Sequence, residues 1–311
     1  MWTFLNRLFM SQRRLGVDIG TASIKIVEVI QFGNAKPALQ NYGYLESAEY
    51  LERSNAAFHA STLQLDEVTM AEYLRALMKQ AKIVDAPVVA SIPAFHAFTT
   101  LIETPPLSDK ELAQSIKLQA KQYIPVPMFE SVLDWMKVGE RIDDDGLKKL
   151  RLLLVAIPKD VIARYQAIFR RAALDLVALE LESISVARAT TIEEKGLQLI
   201  IDIGSRSTSI AVAQAGLTQF AAQTDFAGAS LTQTIATGLK LSMQRAEDMK
   251  RSRGLASEGG EYELFTLLQP MVDVIINEGK RVKFNYETAN KTKIGRVILS
   301  GGGANLKGLE R

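Results

Sequence analysis

The chain contains no cysteine among its 311 residues. That absence removes disulfide frameworks and cysteine-spaced zinc sites from the functions open to it, and it fits a reducing compartment. Histidine is nearly as scarce: His59 and His96 are the only two, too few for a histidine-rich metal centre. Charge of one sign is not in excess either. The 37 Lys and Arg against 35 Asp and Glu leave a formal net charge of +2, whereas a nucleic-acid binder usually carries a strong basic stripe, so no nucleic acid is expected as a partner. No run of about 18 apolar residues occurs, the length a membrane-spanning helix needs. The opening MWTFLNRLFMSQRR is broken by Asn6 and Arg7 and lacks a small-residue cleavage site, which makes it a poor signal peptide. Trp2, Leu5, Leu8 and Phe9 can share one helical face with Arg13 and Arg14 behind them. That pattern suits a short helix that lies on a membrane surface or docks on the body of the protein.

What is present is apolar material in quantity, 47% of residues. At this length it is expected to form two domains or more rather than one core. One device occurs twice: LGVDIGTASIKIVEV at 15–29 and LIIDIGSRSTSIAVA at 199–213. Each copy reads as apolar strand, tight turn, strand, with Asp-Ile-Gly followed by Thr21 or Ser205. Glycine permits a sharp turn without a Cβ clash. The exposed N–H groups and hydroxyls of such a turn form a concavity suited to phosphate oxygens. A carboxylate at the strand end repels phosphate but can hold Mg²⁺ through water, and Mg²⁺ bridges phosphates. Lys25 adds a positive charge for phosphate oxygens. One such hairpin is a common turn. Two, each heading one half of a chain, describe two jaws with a nucleotide between them.

Between the copies, the periodicity of Met70, Tyr73, Leu74, Leu77 and Ala81 predicts a helix over 69–82. PVVASIPAF reads as a buried strand. Ser108 and Glu111 have capping-box spacing ahead of a helix that Pro125 and Pro127 close. ESVLDWMKV and KKLRLLLVAI read as a strand pair around the acidic turn IDDDG, and helices are predicted at about 159–173 and 181–194. Beyond the second copy a single long helix is predicted at about 229–253, then helix through FTLLQPMVDVIINEGKRVKFNYETAN, then a short strand, RVILS, running into GGGANLKGLER. Glu247 and Lys250 are three residues apart on one helix face. Met243 and Met249 read as core, Arg170 and Arg171 as a solvated face.

The two hairpins, the strand entering Gly301, Gly302 and Gly303, and the Glu247/Lys250 pair resemble the signatures of the actin / Hsp70 / sugar-kinase superfamily. Within it, QAKQYIPVPMFESVLDW at 119–135 and the LLLVAIPKDVIARYQAIFRRAALDLVALELESISVARA segment are similar to the PilM family of type IV pilus assembly proteins, relatives of the division protein FtsA. The resemblance implies an α/β, actin-like (duplicated ribonuclease H-like) fold with two domains flanking a nucleotide cleft and an FtsA-like inserted 1C subdomain. It implies subdomain 1A at 1–87 and 169–195, 1C at 88–168, 2A at 196–228 and 291–311, and 2B at 229–290. It implies ATP and Mg²⁺ as cofactors, held by Asp18, Gly20, Thr21, Ala22, Ser23, Lys25, Asp202, Gly204, Ser205, Arg206, Ser207, Gly228, Glu247, Lys250, Gly301, Gly302, Gly303 and Asn305. Asp18 and Asp202 would be the Mg²⁺ carboxylates, through water, and Glu182 would orient the attacking water if hydrolysis occurs, with Glu180 the weaker candidate. Turnover is expected to be slow at most, and no carboxylate base for an acceptor hydroxyl is apparent, which ranks a small-molecule kinase below a nucleotide-bound scaffold. The implied partners are a PilN-like N-terminal peptide in a 1A/1C groove, with Tyr123, Ile124 and Pro125 as candidate lining, and other inner-membrane pilus platform proteins. Weak self-association is a further expectation. The location implied is cytoplasmic, at the inner membrane through the partner. An FtsA-like division ATPase and a small-molecule kinase are the alternative readings.

Overall fold

The computed structural model describes residues 11–33, 35–46, 66–125, 128–143, 145–255 and 262–310. Trp2, Leu5, Leu8, Phe9 and His59 therefore lie outside the described residues, and so does the helix expected at the start of the chain. Arg13 and Arg14 belong to a strand instead. The chain divides into two units, one within 1–50, 61–96 and 158–182, the other within 51–60, 97–157 and 183–311.

The first unit is built on a five-stranded sheet of order β3-β2-β1-β4-β8, from β1 (Ser11–Ile19), β2 (Ser23–Phe32), β3 (Ala38–Glu46), β4 (Val88–Ile92) and β8 (Leu176–Leu181). β1, β2 and β3 run antiparallel, and β4 and β8 add in parallel. Strict alternation places Leu15, Val17, Ile19, Ile24 and Ile26 in the core, as a period of two requires. Helix α1 (Glu67–Gln80) covers that face with Met70, Leu74 and Leu77, the i, i+4, i+7 stripe of an amphipathic helix. Asp66 caps it by accepting from the Val68 and Thr69 N–H groups at 2.9 and 3.0 Å. Helix α3 (Lys159–Arg171) adds the fully buried Phe169. One carboxylate sits among these apolar side chains: Glu28, 1% exposed, is compensated by Arg13 Nη1 at 2.5 Å and Asn41 Nδ2 at 2.6 Å.

The second unit contains two sheets. One has the order β11-β10-β9-β12, from β9 (Gln198–Ile203), β10 (Thr208–Gln214), β11 (Leu217–Thr224) and β12 (Arg296–Ser300), with β12 parallel to β9. This repeats the β3-β2-β1-β4 order of the first unit strand for strand, so the repeat in the sequence is a repeat in topology. The other sheet, β5-β7-β6, comprises β5 (Phe98–Thr104), β6 (Ser131–Ile142) and β7 (Lys148–Pro158). Its core is formed by Ile102, Leu152 and Leu154 against Ile116, Ala120 and Ile124 of α2 (Asp109–Tyr123) and its end. The capping box of α2 is formed: Ser108 N–H donates to Glu111 Oε2 at 2.9 Å, and Glu111 N–H reaches Ser108 Oγ at 3.5 Å. Ser108→Ala is expected to cost about 1 kcal/mol, read as a lower denaturant midpoint with an unchanged slope. The IDDDG stretch is the turn expected: Asp143 Oδ1 accepts from the Asp145 and Leu147 N–H groups, and Gly146 has φ +78.

The remaining helices are α4 (Glu182–Thr191), α5 (Gly228–Leu239), α6 (Met243–Arg253) and α7 (Tyr262–Asn290). The single helix expected at 229–253 is thus two. Gly238 packs so closely on Leu267 that an added Cβ would lie 2.7 Å from its Cδ2, Lys240 ends α5 in the left-handed region at φ +51, and Ser242 starts α6 by capping Arg245 N–H. The helices at 159–173 and 181–194 shorten, and β8 stands between them. Glu180, the weaker candidate for orienting water, lies half-buried on that strand. Met243 and Met249 pack on the α5/α6/α7 core, as expected. Among the described residues, no helix is long and apolar enough to cross a membrane.

Candidate functional site

In the second unit, three chain segments meet at the carboxyl ends of the parallel strands β9 and β12. Open α/β sheets hold ligands at such strand ends. The hairpin turn after β9 is closed by Gly204 N–H donating to the Ser207 carbonyl at 3.0 Å. A Cβ on Gly204 would lie 2.7 Å from that carbonyl oxygen, so the turn requires glycine. The amino end of α5 docks on the turn: Gly228 N–H donates to the Gly204 carbonyl at 3.1 Å and Ala229 N–H to the Ser205 carbonyl at 2.7 Å. The positive end of the α5 dipole therefore sits against the hairpin and favours an anion there. Ser205 Oγ is buried and has no hydrogen-bond partner among the described residues. A bare buried hydroxyl is costly, and an anion accepting from it would remove that cost.

The second segment is the glycine turn. Ser300 pairs with Asp202 across β12 and β9. Gly301 has φ +82, and a Cβ on it would collide with the Ile203 carbonyl and lie 2.6 Å from Asp202 Oδ1. Asp202 and the turn are thus in contact through the missing side chain. A Cβ on Gly303 would also strike Ile203, whereas one on Gly302 would meet nothing within 4 Å. Gly301 and Gly303 bind the turn to β9, and Gly302 presents bare backbone outward. Asn305 Nδ2 closes the turn on the Gly302 carbonyl at 3.4 Å.

The third segment is α6. The Lys307 carbonyl accepts from Leu255 N–H at 2.7 Å, and Lys307 Nζ donates to the Ser252 carbonyl at 2.5 Å. These bonds fasten the glycine-turn segment to the end of α6. Glu247 and Lys250 are not a solvated pair: they are 4% and 9% exposed. Lys250 Nζ donates to the Gly228 carbonyl at 2.9 Å, Thr232 Oγ1 at 2.8 Å and Glu247 Oε2 at 2.6 Å. Arg251 Nε reaches Glu247 Oε1 at 2.6 Å. Burial alone would raise the Glu247 pKa. The Lys250 charge and hydrogen bonds from Lys250, Thr232 and Arg251 outweigh it and lower the value to about 2. Lys250 thus latches the amino end of α5, and with it the hairpin, to α6.

The first unit carries the matching hairpin. Gly20 N–H donates to the Ser23 carbonyl at 2.9 Å. Asp18 faces Lys25 across the ladder, and Lys25 Nζ lies 2.7 Å from Asp18 Oδ2. Ser91 Oγ of β4 donates to Asp18 Oδ1 at 2.7 Å. The position facing Asp202 in the second hairpin is Ser209, so the two carboxylates are not held alike. Glu182 follows β8 and accepts from Ala94 N–H at 3.2 Å. Thr21, Ala22, Arg206 and Ser207 lie on the two turns. Ile124, a candidate for peptide contact, is 5% exposed and part of the β5-β7-β6 core, while Tyr123 is 47% exposed. Sequence reasoning missed Ser91, Thr232 and Arg251. The alternation in VVASI, which turns Ser91 to the face opposite Val88, Ala90 and Ile92, is the signal that locates Ser91.

The residues present suit a magnesium nucleotide. A hydroxyl, a helix amino end and a glycine turn with open backbone surround the Asp202 carboxylate. Among the described residues, no cluster of three or more His, Asp or Glu side chains forms a protein-only metal site.

A family model described as type IV pilus assembly protein PilM matches residues 16–311. Among solved structures, the chain is similar to a PilM-PilN type IV pilus biogenesis complex at 23% identity and TM-score 0.78, covering 95% of this chain and 83% of that one. It is similar to the ethanolamine utilization protein EutJ of Carboxydothermus hydrogenoformans at 17% identity and TM-score 0.56, covering 99% and 86%. It is also similar to MreB5 of Spiroplasma citri bound to AMPPNP, at 14% identity and TM-score 0.53, covering 95% and 86%. The fold is the actin-like α/β fold expected from the sequence.

Proposed function

We infer the function from one premise: this chain belongs to the family of type IV pilus assembly proteins PilM. It is an ATP-binding, actin-like scaffold of the pilus assembly platform at the inner membrane. It engages the short N-terminal cytoplasmic segment of a PilN protein and links the platform to the cytoplasmic motor. The pairing with PilN draws support from the PilM-PilN complex whose fold the chain shares. The three-stranded sheet β5-β7-β6 is assigned to the inserted 1C subdomain. The chain works from the cytoplasmic face and reaches the membrane through its partner.

The observation that carries the nucleotide reading is the unpartnered Ser205 hydroxyl on a hairpin held against the amino end of α5. Ser205 and the turn around Gly204 and Arg206 receive phosphate oxygens, and the hairpin at Gly20–Lys25 is the corresponding phosphate-binding turn of the first unit. Gly302 lies along the nucleoside. Asp202 would hold the water shell of a Mg²⁺ ion, which neutralises phosphate charge when bound, and Asp18 is the corresponding carboxylate of the first unit. The buried Glu247/Lys250 pair sets the position of the walls. Glu182, at a strand end, orients water for a slow hydrolysis.

Equilibrium binding of Mg-ATP, with phosphate release read in the same sample, tests this. The expected result is binding with turnover far below the roughly 1–100 s⁻¹ of kinases, lost in Ser205→Ala together with Asp202→Ala. A labelled PilN N-terminal peptide is expected to bind the wild type. Rapid phosphoryl transfer to an added sugar would overturn the scaffold reading.

A further inference from the structure

In the second unit, β7 is buried on both faces. Its alternation sends Leu150, Leu152 and Leu154 toward α2, so Arg151, Leu153 and Val155 point the other way. That second face is covered too: Arg151 is 9% exposed, Leu153 2% and Val155 9%. Two contacts mark the seam on this side. Gln219 Nε2 of β11 donates to the Val138 carbonyl of β6 at 2.6 Å. Arg151 Cζ lies over the ring of Tyr286 on α7, 5.8 Å from its centre. Arg151 therefore places a cation in the seam between the β5-β7-β6 sheet and α7. Among the described residues, its Nε has no hydrogen-bond partner and no carboxylate pairs with the guanidinium. The carboxylate that the register offers is committed elsewhere. Glu103 is the cross-strand partner of Arg151 on β5, yet Glu103 Oε1 lies 3.1 Å from Arg141 Nε. Two guanidinium groups thus share one carboxylate. Arginine, unlike a buried lysine, does not escape burial by losing its proton. The face of a ring offsets only part of the desolvation of a full charge, and native interiors do not keep such a charge bare.

We propose that Arg151 is the centre of an oxyanion site: a carboxylate or phosphate group enters the seam, lies against the guanidinium fork and supplies the missing negative charge. The fork matches two oxygens of one oxyanion at once, which a halide cannot offer. Tyr286 holds the guanidinium from its ring face. The same Tyr286 belongs to the core packed on β9, so the bound anion ties the β5-β7-β6 sheet to the sheet of the second hairpin. None of these residues belongs to the nucleotide site, and the proposal stands apart from that reading.

Thermal unfolding of the whole chain beside Arg151→Met tests it, with sodium acetate added in one series and inorganic phosphate in another. Sodium chloride at matched ionic strength corrects for screening. Methionine keeps an apolar stem and removes the charge, so without added anion the variant is expected to unfold at or above the wild-type Tm. The wild-type Tm is expected to rise along a saturating curve, by about 3–6 °C at about ten times the dissociation constant. The variant is expected to lack that rise. Phosphate bound at the hairpins is common to both proteins, so the difference between them reads the Arg151 site. Saturation at the lower concentration by acetate assigns a carboxylate as the ligand, and the reverse order a phosphate. A crystal structure at saturating anion is expected to show it about 3 Å from an Arg151 nitrogen. Equal Tm gains in wild type and Arg151→Met, or a guanidinium with only water or Glu103 against it at saturating anion, would overturn the proposal.

Discussion

Gly302→Val is expected to leave the protein as stable as the wild type while weakening Mg-ATP binding by at least about 30-fold, or about 2 kcal/mol. The separation follows from the glycine turn. A Cβ at Gly302 meets nothing within 4 Å, so the fold has no use for glycine there and the stability change should stay within about 0.5 kcal/mol. The only demand for bare backbone is an approaching ligand. Its neighbour behaves oppositely. Gly301 has φ +82 and ψ 173, a region essentially reserved for glycine. A Cβ there collides with β9 at Ile203 and Asp202. Gly301→Ala is therefore expected to destabilise the second unit by about 1–3 kcal/mol whether or not nucleotide binds. Denaturant unfolding and equilibrium binding on both variants check the pair.

Lys250→Met is expected to be the most destabilising of the site substitutions, at about 3 kcal/mol. It removes the charge opposite a buried carboxylate and also the donor that holds the Gly228 carbonyl to α6. For a unit of this size that is a fall in Tm of roughly 6–12 °C. Glu247→Gln combined with Lys250→Met should recover part of the loss, because the uncompensated charge goes with it. Acid acts on the same pair. The folded-state pKa of Glu247 is lowered to about 2 from its ordinary value of 4.5, so its stabilisation is complete above about pH 4.5. It is lost as pH falls toward about 2. In Lys250→Met the charge and hydrogen bond that lower the value are gone, and this acid loss should shrink. Unfolding curves at pH 7, 4 and 3 measure it.

Both hairpins were legible in the sequence because each needs a glycine at a fixed place in a β-alternating run, and the repeated strand order follows from them. The capping box at Ser108 was legible for a similar reason, since both partners are local. The block at 119–135 pointed to the PilM family, which the family match bears out. What escaped depends on distant residues. The break at Lys240 has no mark of its own, because lysine rarely ends a helix in the left-handed region. The nearby Gly238, whose missing side chain lets Leu267 of another helix approach, marks a packing contact and not the break itself. β8 escaped because LVALEL is short and apolar, a pattern that strand and helix share. The Glu247/Lys250 spacing announced an ion pair but not its burial, which Thr232 of α5 completes from fifteen residues away. The orphan hydroxyl of Ser205 and the buried guanidinium of Arg151 exist only in three dimensions.

The central claim is that the hairpin at 202–207, the amino end of α5 at 228–232 and the turn at 301–306 act as one nucleotide site. Amide hydrogen exchange with and without saturating Mg-ATP tests it most directly. The account predicts that these three segments gain protection together, while β5-β7-β6 exchanges as before. Protection confined to other segments, or unchanged exchange in all of these at saturating nucleotide, would contradict it.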